Sequence, residues 1–197
     1  MLSKQFAMIG FGAVLVAMTA LAQDEDYTRF NSDASVQALG SFVKSTTQDG
    51  VRQNATDTGS ILASYRYYFD RHNGVEASYA WTQNTEKYDL SGVKDNLHQM
   101  SAAYVFRMPM KRLSPFVLAG AGAMVFDPKQ YVGASTQTRA AFVYGGGADV
   151  NLTEHLFVRC EYRGFVYSSP TYDIASFDRL DRVTHRAEPS IGFGWRF

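Results

Sequence analysis

From position 34 onward, apolar residues alternate with small or charged ones. A period of two is the spacing at which successive side chains of a β-strand point to opposite faces. In 59–70, Ile61, Ala63, Tyr65, Tyr67 and Phe69 share one parity, and Ser60, Leu62, Ser64, Arg66 and Tyr68 share the other. Val75, Ala77, Tyr79 and Trp81 oppose Glu76, Ser78 and Ala80, while Met100, Ala102, Tyr104 and Phe106 oppose Ser101, Ala103, Val105 and Arg107. At the end of the chain Ile191, Phe193, Trp195 and Phe197 oppose Ser190, Gly192, Gly194 and Arg196. Eight such segments are predicted, over 34–44, 59–70, 74–83, 97–107, 115–126, 139–150, 156–167 and 184–197. Each is close to the ~9–11 residues with which a tilted strand crosses the apolar layer of a bilayer.

The connections alternate in length. Segments 45–58, 84–96, 127–138 and 168–183 are long and rich in Thr, Gln, Asp, Asn and Ser. Segments 71–73, 108–114 and 151–155 are short, and Asn73-Gly74 is a tight-turn signal. An even strand number with long and short connections in turn is the layout of a barrel with short periplasmic turns and long extracellular loops. The predicted fold class is all-β, an eight-stranded antiparallel up-and-down transmembrane β-barrel.

A soluble barrel would also show short alternating strands, and the placement of charge separates the two. The non-aromatic parity carries Arg66, Glu76, Arg107, Asp149, Arg159, Glu161, Arg163, Glu188 and Arg196. An eight-stranded interior has room only for its own side chains. Large aromatics would crowd it, whereas Arg and Glu in complementary pairs satisfy one another there. Aromatics outside and charges inside require lipid outside.

The first 22 residues read as an address. Lys4 precedes an uncharged run over Phe6–Ala17, and Ala20-Leu21-Ala22 places small residues at the −3 and −1 positions before Gln23-Asp24-Glu25-Asp26. This is the pattern of a cleaved secretory signal, with Ala20 and Ala22 marking the cleavage site. Three parts follow: signal peptide 1–22, a short N-terminal periplasmic tail 23–33, and barrel domain 34–197.

Charge and composition sharpen the exclusions. Across 197 residues, 19 Lys and Arg balance 19 Asp and Glu, which lacks the footprint of a nucleic-acid binder. Aromatics make up 14% of the chain, enough for burial, so disorder is excluded. No apolar run after the first 22 residues is long enough for a membrane-spanning helix. The single cysteine, Cys160, offers no disulfide framework, and by parity it faces outward with Tyr162.

With these residues in view, the chain resembles the small eight-stranded outer-membrane barrels of the OmpA/OmpX type. The most specific element is Ile191-Gly-Phe193-Gly-Trp195-Arg-Phe197. A terminal Phe with apolar residues at alternate positions resembles the signal read by the barrel-assembly machinery, so Ile191, Phe193, Trp195 and Phe197 are the implied signal residues. The stretch from Gly145 to Arg163 is similar to a family hairpin, in which a Gly-rich strand, a short turn and an Arg-x-Glu-x-Arg strand follow in order. A C-terminal peptidoglycan-binding domain like that of longer members is not expected. The resemblance places the protein in the outer membrane of a diderm bacterium, with outer-membrane lipid and the barrel-assembly machinery as partners.

Chemistry is weakly signalled. Arg159, Glu161 and Arg163 stand at i, i+2 and i+4 and point inward together, as a polar conduit or as a structural network filling the core. The structural reading is preferred, because so narrow a lumen is filled by side chains. An esterase-like site wants Ser, His and an acid within reach. However, His98 and Ser101 diverge on their strand, as do His185 and Glu188, while His72 and His155 fall in turns. Four scattered histidines make no metal site. The expectation is a monomer without cofactor or catalytic chemistry. Its expected role is structural or surface-interaction: membrane integrity, adhesion or partner binding through extracellular loops. The alternatives are a narrow porin-like channel, a lipid-modifying outer-membrane enzyme and a soluble lipocalin-like periplasmic binder.

Overall fold

The computed structural model of the protein describes residues 30–43, 46–48, 51–55, 58–88, 91–128, 136–168 and 183–197. The predicted signal peptide, with Ala20 and Ala22, and the tail up to residue 29 lie outside the described residues.

Ten strands run antiparallel to their neighbours: β1 (Ser32–Val43), β2 (Thr46–Gln48), β3 (Val51–Ala55), β4 (Thr58–Tyr68), β5 (Asn73–Tyr88), β6 (Ser91–Arg107), β7 (Leu113–Pro128), β8 (Gln137–Asn151), β9 (Leu156–Ser168) and β10 (Val183–Arg196). Eight of them close a barrel, because β1 pairs with both β4 and β10 while β4 to β10 pair in chain order. The register fixes its geometry. Paired residues followed once around run Asp33, Arg66, Glu76, Ala103, Gly120, Val143, Phe165, Arg186 and then Val43. The path returns to β1 ten residues above its start (43 against 33). A stagger of that size over eight strands tilts them by about 40° from the barrel axis.

Each predicted strand is present, and the boundaries move for identifiable reasons. Ser32 and Asp33, predicted as the end of the tail, belong to β1, where Asp33 pairs with both Arg66 and Arg196. The predicted loop 84–96 is largely strand, since β5 runs to Tyr88 and β6 begins at Ser91, paired to the last residue. The predicted loop 45–58 contains β2 and β3, and β3 pairs with the far end of β5. The 127–138 connection also shortens, because β7 reaches Pro128 and β8 begins at Gln137. Above a bilayer both faces of a sheet meet water, so backbone pairing continues without the apolar alternation that marks a membrane strand.

The short connections are tied down by local polar contacts. In the β4–β5 turn, Asp70 Oδ1 accepts from the backbone N–H of His72 and of Asn73, both at 2.7 Å, and Oδ2 accepts from Asn73 Nδ2 at 2.6 Å. These donors hold the exposed Asp70 carboxyl below the usual carboxylate range. Thr153 Oγ1 accepts from the Leu156 N–H at 2.9 Å in the β8–β9 turn, and Asn151 Nδ2 donates to the Met110 carbonyl at 3.1 Å.

The outer wall is apolar. Val36, Ile61, Val117, Phe142, Ile191 and Phe193 each leave more than half of their surface outside the protein. Trp195, Phe197, Tyr67 and Phe69 ring the turn end, and Phe42 and Trp81 stand nearer the loop end. A shallow outer concavity of about 1090 Å³ has Ala77, Ala102 and Ala121 on its floor and Tyr65, Tyr79 and Met100 as walls. It belongs to this apolar wall rather than to the lumen.

Candidate functional site

The nine charged residues singled out by parity all point inward and are buried. Eight of them fall into three ion-paired groups, a larger one, a second around Arg159 and a smaller one, and Arg107 stands outside all three. In the larger, Arg66 Nε donates to Glu76 at 2.6 Å and its Nη2 to Glu161 at 3.3 Å. Arg163 bonds Glu76 at 2.8 Å and also Glu161, so two arginines and two glutamates from β4, β5 and β9 alternate around a closed ring. Arg163 Nη1 adds Ser78 at 2.6 Å. Closer to the turns, Arg159 Nε and Nη2 bond Asp149 at 2.7 and 3.0 Å, and Nη2 reaches Asp33 at 3.1 Å. Arg159 Nη1 contacts Ser35 and Ser64 at 3.3 and 3.4 Å. The smaller group lies nearer the loops, where Glu188 Oε1 accepts from Arg186 Nε at 2.6 Å and from Gln99 Nε2 at 2.7 Å.

The picture of complementary Arg–Glu pairs needs two corrections. Among the described residues Arg107 has no carboxylate partner; it donates to the Arg71 carbonyl at 3.2 Å and lies 3.5 Å over the Tyr68 ring. Arg196 donates to Asn151 Oδ1 at 2.7 Å, with Asp149 at 3.8 Å. The interior also holds aromatics, against the expectation that rings would crowd it. Arg66 stacks on Phe116 at 4.0 Å, and Arg159 and Arg196 lie 4.8 and 4.6 Å from the Phe157 centroid. Inward glycines make the room. A Cβ on Gly194 would meet the Phe157 ring at 2.1 Å, and Gly147 stands in register with Phe116. Large and small residues on neighbouring strands share the limited cross-section.

Sequence reasoning missed Asp33 and Arg186, both fully buried members of the network. Arg186 was findable, since it shares the parity of Glu188 two residues on. Asp33 was not, because only pairing shows that the strand has begun.

Higher in the lumen the lining changes. Leu97, Met124, Phe126, Ala141, Val143, Phe165 and Tyr167 belong to one buried apolar cluster, which continues along β6 and β7 through Val105, Leu118 and Phe116 to Tyr68 near the turns, and Leu39, Leu62 and Ala80 from β1, β4 and β5 form a second. Among the described residues, most of the buried charge lies towards the turns, beside Phe116 and Tyr68, and apolar packing predominates towards the loops around the single pair Arg186–Glu188.

Of the histidines, only His72 is bonded to an acid, Asp70 of its own turn. His98, on the outer face, lies 2.7 Å from Tyr79 Oη, whereas Ser101 points inward to Ser78 at 2.6 Å. His185 Nε2 lies 2.6 Å from Tyr144 Oη, whose ring crosses Gly164 so closely that a Cβ there would sit 2.6 Å from it. His72 and His155 place Nδ1 at 3.1 and 2.9 Å from the Arg107 and Arg196 carbonyls. Among the described residues no three His, Cys, Asp or Glu side chains gather as metal ligands. Cys160 is exposed on the outer wall with Tyr162. The C-terminal residues Ile191, Phe193, Trp195 and Phe197 all lie on the outer face.

At the loop end, β5 and β6 continue as a paired ribbon to Tyr88 and Ser91, flanked by β3 on one side and by β7 as far as Pro128 on the other. Among the described residues, the other strands at this end reach Val43, Thr58, Ser168 and Val183. One side of the barrel thus carries an antiparallel sheet beyond the apolar band.

Comparison with known proteins supplies a frame for this geometry. The family described as "Outer membrane protein beta-barrel domain" matches residues 11–197. No curated protein sequence matches the chain. Among solved structures, the chain is similar to Ail, the attachment invasion locus protein of Yersinia pestis, at 21% identity over 85% of this chain and 99% of that one, with a TM-score of 0.55. Ail has also been solved in complex with the heparin analogue sucrose octasulfate. Neisserial surface protein A matches at 14% identity over 84% and 97% of the two chains, with a TM-score of 0.64. The outer membrane protein OprG of Pseudomonas aeruginosa matches at 16% over 85% and 96%, with a TM-score of 0.59. At these identities the likeness is one of fold.

Proposed function

The chain belongs to the outer-membrane protein β-barrel family, and from that premise we propose that it is a surface-interaction protein that holds partners through its extracellular sheet and loops. It spans the outer membrane as an eight-stranded barrel, with its apolar wall in lipid. The observation that carries the proposal is the ribbon of β5 and β6, extended beyond the barrel and widened by β3 and β7. A rigid sheet presents loops at defined positions, and binding residues concentrate on loops set on rigid scaffolds. Sulfated glycan is the first ligand class to test, by analogy with the Ail complex.

The filled lumen speaks against a channel, because ions would have to pass both the buried charge network and the apolar packing above it. The histidine rings, each hydrogen-bonded to a tyrosine or a backbone carbonyl, give no support to hydrolysis.

Cells displaying the protein are expected to bind immobilised heparin or host-cell surfaces. A variant with residues 46–55 and 84–95 replaced by short turns should assemble but lose at least tenfold in retention. Equal retention of both would overturn the proposal. Single-channel steps in planar bilayers with the purified protein would restore the channel reading. The terminal residues Ile191, Phe193, Trp195 and Phe197 are assigned to recognition by the barrel-assembly machinery. Deleting Phe197 should lower the yield of assembled barrel and leave secretion intact.

A further inference from the structure

Six arginines and five carboxylates are buried in the described lumen. Four of the arginines are matched: Arg66 and Arg163 by Glu76 and Glu161, Arg159 by Asp33 and Asp149, and Arg186 by Glu188. The two that remain, Arg107 and Arg196, are the last residues of β6 and β10 and stand together at the turn end. Among the described residues Arg107 has neutral contacts, the Arg71 carbonyl and the Tyr68 ring, whereas Arg196 donates to the Asn151 amide oxygen and lies 3.8 Å from Asp149, which Arg159 already holds. Arg107 therefore has no carboxylate against its charge, and Arg196 shares Asp149 with Arg159.

Unused donors collect at the same end. Nε and Nη1 of Arg196, Nη1 of Arg66 and the Tyr68 hydroxyl are buried and lack a hydrogen-bond partner. Arg66 spends one edge of its planar group, Nε and Nη2, on Glu76 and Glu161, so Nη1 projects away from both. One acceptor there is also unfilled, Asp33 Oδ2, while Asp33 Oδ1 is held by Arg159. The Arg196 side chain interacts electrostatically with Arg107, Asp33, Asp149 and Tyr68. Buried N–H groups without acceptors, beside a charge without its counter-charge, form a costly arrangement that a bound anion would relieve.

We propose that a small monovalent anion of the halide class binds inside the turn end of the barrel, among Arg107, Arg196, Arg66 Nη1 and the Tyr68 hydroxyl. Its single charge equals the difference between six buried arginines and five buried carboxylates. Its size follows from closure, since Arg107 and Arg196 expose only 5% and 2% of their surface.

The test compares the detergent-solubilised barrel in sodium chloride and sodium gluconate at equal ionic strength. Chloride should raise Tm saturably, by about 4 °C well above its Kd, following the mass-action gain of a ligand bound only by the folded state. Arg107→Gln and Arg196→Gln should each flatten that dependence. Since either variant could fail to fold, crystals of the unaltered protein with bromide in place of chloride provide a second reading. An anomalous peak is expected between Arg107 and Arg196. Equal Tm in both salts, or density there without an anomalous signal, would mean water alone and would overturn the proposal. Replacing Asp24, Glu25 and Asp26 by their amides should leave the chloride dependence in place. Dependence that appears only in that variant would assign the balancing charge to the chain's own tail, and would equally overturn it.

Discussion

The two ends of the lumen solve one problem by opposite means. Towards the turns, the interior is filled by guanidinium and carboxylate groups whose bonds are directional, most clearly in the ring of Arg66, Glu76, Arg163 and Glu161. Towards the loops, Leu97, Met124, Val143 and Phe165 fill most of it by shape, around the one ion pair of Arg186 and Glu188. Directional bonds penalise a slipped register, because a shift of one residue turns every inward charge out to lipid. Apolar packing tolerates rearrangement better but excludes water and ions more completely. The charged half therefore specifies how the strands pair, and the apolar half seals what they enclose.

The difference is broken most severely by unbalancing the ring. Glu76→Gln leaves Arg66 and Arg163 sharing Glu161 and exposes a buried charge without its partner, at a cost of about 4 kcal/mol. The urea midpoint of the refolded barrel measures it. In the apolar half, Leu97→Ala removes a fully buried side chain and should cost about 3 kcal/mol without opening the lumen. The same urea titration and a planar-bilayer recording check both parts. A deficit in Glu76→Gln no larger than in Leu97→Ala would erase the proposed division of labour.

The pair Arg186 and Glu188 sharpens the comparison, because it is an ionic element at the apolar end that shares no bond with the main network. If ions matter there only to each other, replacing both should be tolerated. Arg186→Met combined with Glu188→Leu is expected within about 1 kcal/mol of the unaltered protein, although either change alone costs about 3 kcal/mol. A double variant as unstable as the singles would show that the upper pair, too, carries structural information.

Much of this was readable from parity. The alternation of Tyr65 and Tyr67 with Arg66, or of Cys160 and Tyr162 with Arg159, Glu161 and Arg163, assigns faces from local sequence, since a strand offers only two. Which charge meets which was not readable. Arg66 and Glu161 lie 95 positions apart in the chain and meet only through the stagger of the closed barrel. The interior rings of Phe116 and Phe157 were missed for a related reason, because the glycines that accommodate them lie on neighbouring strands. The extended ribbon beyond residue 83 was hidden because alternation reports lipid on one side and falls silent where both faces meet water.

The smallest expected effect lies outside the lumen, at the β4–β5 turn, and it separates local from lumenal polar contacts. Asp70 is exposed, so its bonds to His72 and Asn73 are screened by water, yet they favour the ionised carboxylate. Its folded-state pKa is depressed, so its contribution is present above the unfolded carboxylate value. That contribution is lost as pH falls through the folded one. The advantage of the unaltered protein over Asp70→Asn should therefore be small at pH 7 and vanish under acid conditions, as read from urea midpoints at pH 7 and pH 3. The lumenal ring of Arg66, Glu76, Arg163 and Glu161 lacks this exposure to solvent, and its disruption should register at both pH values. An advantage of Asp70 that persisted unchanged at pH 3 would mean that the turn is held by shape rather than by charge-assisted bonds.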